Sequence, residues 1–224
     1  MDKKIILGVF ALIAVSISLL LLIPESKIDT PDTLPWRISH PTPDTSRIFG
    51  IVLGQSSLAD LEKVLKEQTT DISLFKPTEG KMSIEAFYDE LNLNGLKAKF
   101  VLTVTVPQVE MDEMYKRGLR MNSTPSGKRI TLTAQDLEQV RTSPVATLTY
   151  LPTYRVEDDL LGKRFGVPAE RIRETRSGAV HWLYPQNGLD ITLGGGEKPL
   201  LQYISPKDFE VLRAPLLAQG ELIK

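Results

Sequence analysis

The chain has 224 residues, 42% hydrophobic and 25% charged, with 15 glycines and 15 prolines, which excludes collagen-like, low-complexity and multi-spanning membrane chains. A formal net charge of −1 provides no global field toward nucleic acid or anionic lipid, so no nucleic-acid partner is expected. The absence of cysteine removes disulfides, thiol catalysis, cysteine-ligated zinc, iron–sulfur clusters and acylated-cysteine anchors together.

Ile5 to Ile23 is a run without charge, interrupted only by Gly8, Ser16 and Ser18. At ~1.5 Å per residue it reaches roughly 28 Å, enough for a hydrocarbon core of about 30 Å. It ends in Leu19-Leu20-Leu21-Leu22-Ile23-Pro24, without the small-x-small site of a cleavable signal, so an uncleaved anchor is expected. Lys3 and Lys4 precede the span, whereas Glu25, Asp29 and Asp32 follow it with only Lys27 to offset them. Residues 1–4 are therefore expected in the cytoplasm, 5–23 in the inner membrane, and the bulk of the chain outside it, in the periplasm of a two-membrane bacterium.

Residues 24–46 read as a linker, because prolines 24, 31, 35, 41 and 43 remove donors and disfavour helix before them. Trp36 and Arg37 fit either a short interfacial anchor or a return onto the domain, and His40 is expected to be solvated. From 47 on, the pattern predicts an α+β fold with antiparallel sheets and short helices, in two modules over 47–133 and 134–224. Ile48–Leu53 is a short strand; Ser57 and Asp60 form a capping box for a helix to about Glu67. Ile72–Phe75 is a further short strand. Met82, Ile84, Ala86 and Tyr88 alternate with polar neighbours, Asn94-Gly95 turns, and Leu96 to Val106 alternates most clearly of all. A helix follows over Val109–Arg117, then a polar loop over Asn122–Gly127, a strand at Ile130–Leu132 and a helix capped by Thr133. Val145–Leu151 is strand, Val156–Phe165 helix, and Val180–Tyr184 and Leu189–Leu193 are strands about Asn187-Gly188. Gly194–Gly196 turns into Leu200–Ile204, and Ser205-Pro206 opens a last helix to about Arg213.

Strand, helix, an aromatic strand, Asn-Gly-Leu and a second strand occur in both halves, as a duplication would leave them. Leu161-Gly162-Lys163, Gly166-Val167-Pro168 and Trp182-Leu183-Tyr184, within 161–193, resemble the small helix-plus-sheet modules of bacterial envelope proteins, the BamE-like assembly lipoproteins and the β-lactamase-inhibitor-like tandem modules. That resemblance implies binding to protein partners without catalysis and carries no site residues. The chain departs from those lipoproteins in lacking the anchoring cysteine.

Little chemistry is legible. His181 is the one histidine of the folded part; alternation turns it from Trp182, toward solvent or the second sheet face. No Gly-x-Ser-x-Gly elbow is present, and no set of metal ligands or cofactor residues is evident. Pro125-Ser126-Gly127-Lys128-Arg129 is not a nucleotide phosphate loop, because Asn122 and Arg129 stand where a glycine and a hydroxyl are needed. Asp158-Asp159 read as a solvated face. Lys163, Arg164, Arg171, Arg173 and Arg176 make a basic cluster for an acidic partner, interspersed with acids that also fit a mixed solvated surface. The expectation is a membrane-anchored periplasmic protein-binding module, an accessory or assembly subunit of an envelope complex. A tethered hydrolase acting on cell-wall glycan or peptide through carboxylates, or an inhibitor or immunity-type domain, are the alternatives.

Overall fold

The computed structural model describes residues 33–154, 156–196 and 198–223. The expected anchor at 5–23 lies outside them, and among the described residues no helix is long and apolar enough to cross a membrane. The fold is α+β. A two-stranded ribbon, β1 (Arg47–Ile48) and β2 (Ile51–Val52), precedes helix α1 (Leu58–Leu65). Strands β3 (Asp71–Pro77), β4 (Ser83–Leu93) and β5 (Leu96–Val104) follow, then helix α2 (Gln108–Arg117). Next come the hairpin β6 (Arg120–Thr124) and β7 (Gly127–Thr131), helix α3 (Ala134–Thr142) and strand β8 (Val145–Pro152). Helix α4 (Asp158–Phe165) leads into β9 (Glu170–Glu174), β10 (Val180–Tyr184), β11 (Leu189–Leu193) and β12 (Leu200–Ile204). Helix α5 (Glu210–Gln219) and β13 (Gly220–Ile223) end the description.

Eleven strands form one antiparallel sheet in the order β13-β9-β10-β11-β12-β8-β5-β4-β3-β7-β6. A helix followed by a three-stranded meander occurs twice, as α1-β3-β4-β5 and α4-β9-β10-β11, and the two meanders approach the sheet centre from opposite ends. The halves expected as modules share this sheet through the β5–β8 pairing, which runs from Ala98–Pro152 to Val104–Val145.

Side chains alternate between the faces of a strand, so the register divides the core in two. Phe100, Tyr150, Leu201 and Ile191 point to one face, where the β1–β2 ribbon and α1 to α4 contribute Phe49, Leu58, Leu61, Met114, Val140 and Leu161. On the other face Ile172, Leu183 and Ile204 pack with Phe209 and with Leu212, Leu216 and Leu217 of α5. That burial carries α5 past Pro215 to Gln219, beyond the end expected near Arg213. Phe49 adopts φ 49°, a left-handed conformation that is costly for a bulky residue. Its ring is fully buried against Phe100, Tyr150 and Tyr203 at 4.8, 5.7 and 5.9 Å between centroids, and this aromatic packing offsets the strain.

The extended spacer expected over 24–46 does not hold for its described part. Pro35 is buried and its carbonyl accepts the Tyr203 hydroxyl at 2.8 Å; the Ser46 hydroxyl donates to the Asn187 carbonyl at 2.9 Å; the Asn94 amide donates to the Thr33 hydroxyl at 3.0 Å. Trp36 returns to the body, with the Arg164 guanidinium 4.6 Å from its ring centroid. The prolines preset an extended backbone, and Pro35, Trp36 and Ile38 give it apolar surface to bury.

Candidate functional site

The basic cluster is divided by the fold. Lys163 and Arg164 lie in the last turn of α4, where cations complement the helix dipole. Arg164 is occupied by Trp36. Arg171 and Arg173 lie two residues apart on β9, a strand absent from the sequence reading, and so share one sheet face; Arg176 follows in the loop to β10. Across the ladder Arg171 faces Trp182, and Arg173 faces Val180 on one side and Glu221 on the other. The Arg171 guanidinium covers the Trp182 ring at 5.1 Å from its centroid. Trp182 is half-buried and packs against the main core. Among the described residues, Lys163, Arg171, Arg173 and Arg176 make no ion pair, and the buried Arg171 Nε has no hydrogen-bond partner.

Tyr184 ties this surface to α4. Its ring lies 6.1 Å from Phe165 and its hydroxyl donates to the Gly166 carbonyl at 2.9 Å. Burial pushes that hydroxyl up in pKa, and the Arg171 charge opposes the shift. A shallow cleft opens beside it, lined by Phe165, Val167, Ala169, Tyr184, Pro185 and Asn187. His40 is exposed, as expected, with its ring nitrogens 3.1 Å from the Thr45 carbonyl and 3.3 Å from Asn187 Oδ1.

Of its two expected directions, His181 takes the second sheet face and not solvent. It faces away from Trp182 and is only 7% exposed. Its ladder partner Ile172 and its neighbour Leu183 pack under α5, an arrangement created by the long last helix and β13. The Nδ1 atom donates to Asp190 Oδ2 at 2.8 Å, with the Thr192 hydroxyl at 3.2 Å; Nε2 lies 3.4 Å from Glu174 Oε1. Asp190 is itself buried, at 3% exposure. Burial alone would lower the imidazole, but Asp190 and then Glu174 outweigh it and raise its pKa above 6.5. The Ser177 hydroxyl is engaged by Glu174 and the Thr192 hydroxyl shares Nδ1 with Asp190, so the two flanking carboxylates favour the protonated ring. Asp190 and Glu174 carried no signal of this role in the sequence, since the triad forms across three strands.

Asp158 and Asp159 are exposed in the first turn of α4, as a solvated face. Among the described residues no group of three or more histidine, aspartate or glutamate side chains could hold a metal ion. No family model, curated protein or solved structure matches this chain.

Proposed function

We propose that the chain is a membrane-anchored, extracytoplasmic protein-binding module, an accessory or assembly subunit of an envelope complex. The observation that carries this reading is the Arg171–Trp182–Arg173 surface. Arginine and tryptophan dominate interface hot spots, and here an unpaired guanidinium lies on a half-buried indole with a second unpaired guanidinium beside it on a rigid strand. A surface of this kind fits an acidic protein partner. The anchor expected at 5–23, with Lys3 and Lys4 before it, puts that surface on the outer side of the inner membrane. A helix-and-meander unit occurs twice in the chain, an arrangement open to tandem protein-binding modules.

The test is site-specific photo-crosslinking of the full chain in its native membrane. A photoreactive residue at 173 is expected to give a discrete protein adduct, and the same residue at Lys97, on the β4–β5 hairpin, is expected to give none. Trp182→Ala is expected to abolish the adduct at 173. Equal labelling from both positions, or none from 173, would overturn the reading.

A further inference from the structure

At the other end of the sheet, two lysines stand directly opposite each other. Lys76 of β3 pairs with Lys128 of β7, and Ser123 of β6 is the next partner of Lys128 in the ladder. Directly opposed side chains share a face with Cβ atoms about 4.5–5.5 Å apart, where like charges are destabilising. Neither lysine makes an ion pair among the described residues; Lys76 Nζ instead lies 4.2 Å from the centroid of the Tyr115 ring of α2. Two of the neighbouring charges are paired elsewhere. Arg129, on the opposite face, pairs with Asp71 at 3.2 Å and covers Phe87, and Glu113 of α2 pairs with Lys116 at 2.7 Å.

Lys76, Lys128, Ser123 and Tyr115 line a cleft of about 390 Å³ between α2 and the β3–β7–β6 edge, and no carboxylate lines it. Gly127 shapes its floor. A Cβ there would stand 2.3 Å from the Lys76 carbonyl oxygen, so glycine is what lets the hairpin lie against β3 with the two lysines in register. The segment is Pro125–Arg129, which lacks the pattern of a nucleotide phosphate loop. Its use of a lysine and a close backbone approach is nevertheless directed at an open cleft.

We propose that this cleft binds a phosphate monoester group. Two ammonium groups on adjacent strands match a dianion better than a single carboxylate, since one lysine would already neutralise the latter. The Ser123 hydroxyl supplies a neutral donor on the third strand, and Tyr115 walls the cleft on the helix side. A bound anion would also offset the like charges that the register sets opposite each other. The same group is presented by a soluble phosphate ester and by a phosphatidic acid headgroup. The site lies at the sheet end opposite to Arg171 and Trp182 and does not depend on them.

The experiment is calorimetric titration of the purified full chain in non-ionic detergent at constant ionic strength. The probes are inorganic phosphate, glycerol 3-phosphate and dihexanoyl phosphatidic acid, with chloride and dihexanoyl phosphatidylcholine as controls. Saturable binding of the phosphate monoesters is expected, weakened at least tenfold by Lys76→Gln or Lys128→Gln and restored by Lys128→Arg. Without phosphate, both glutamine variants are expected to melt at or above the wild-type temperature, which separates lost binding from lost folding. Phosphatidic acid binding at least tenfold tighter than glycerol 3-phosphate assigns the lipid source; equal affinities assign the soluble one. No saturable binding of any phosphate probe, or affinities unchanged in both glutamine variants, would overturn the proposal.

Discussion

The His181 Nδ1 atom lies 2.8 Å from Asp190 Oδ2 on the neighbouring strand, so a buried imidazole and a buried carboxylate form a diagonal pair across β10 and β11. Burial of either partner alone would be unfavourable, and together they satisfy one hydrogen bond in a region closed by α5.

The pair makes stability depend on pH. The folded imidazole titrates above its ordinary 6.5, so its contribution is complete below that value and is lost as pH rises through the folded pKa. Asp190→Asn is expected to cost about 2 kcal/mol at pH 6, with the difference from wild type shrinking toward pH 9. Thermal melts of both proteins across that range check the trend. Nitrogen chemical shifts followed across that range check the titration of the ring, and a His181 midpoint at or below 6.5 would refute the upward shift.

Asp136 makes a second pH-sensitive contact, with the opposite sign. It is fully buried and accepts Arg117 Nε at 3.0 and 3.1 Å and the Thr133 hydroxyl at 2.8 Å. Burial would raise its carboxyl, but Arg117 and Thr133 prevail and hold it below 3.8. Its stabilisation is therefore present above pH 3.8 and lost as pH falls through the folded value. Asp136→Asn is expected to destabilise by about 2–3 kcal/mol at neutral pH, measured by denaturant titration.

Gly188 is required by both conformation and space. Its φ is 62°, and a Cβ would stand 1.9 Å from the Ile204 carbonyl oxygen, while its own carbonyl accepts the Ile204 amide at 2.8 Å. Gly188→Ala is expected to destabilise by about 2–4 kcal/mol, whereas Gly178→Ala, also at positive φ but in open space, is expected to cost about 1 kcal/mol. Equal melting temperatures for the two variants would contradict the steric argument.

The segment Thr33–Ser46 belongs to the folded body. A chain beginning at Arg47 leaves the fully buried Tyr203 hydroxyl without its acceptor on Pro35 and uncovers the Trp36 contact on Arg164. Relative to a chain beginning at Thr33 it is expected to lose roughly 2–4 kcal/mol, read from paired melts. Equal stability would mean that 33–46 is only draped on the surface.

Local chemistry was enough for the elements whose signal lies within a few residues. Ser57 and Asp60 cap α1 reciprocally, as their spacing requires, and Asn94-Gly95 supplies the two positive φ values, 53° and 89°, of a tight hairpin. The alternation from Leu96 to Val104 is legible because one face of β5 is buried from Ala98 onward. Asn187-Gly188 carries the same dipeptide yet forms a 3₁₀ turn over Pro185–Asn187, because Pro185 and the approach of Ile204 to Gly188 decide the loop. β6 reads as a loop in the sequence since all five of its residues are exposed, leaving an edge strand without hydrophobic alternation. Arg171 and Arg173 share a face only because Glu170–Glu174 pairs between β10 and β13, which contribute from 180–184 and 220–223. The burial of His181, the return of Trp36 and the opposition of Lys76 to Lys128 have the same origin. Each is set by strand register and by the packing of segments far apart in the chain. Composition, capping and periodicity determined the fold class and many of its elements; cross-strand pairing alone decided which charges meet, because those distances are properties of the sheet and not of the neighbouring sequence.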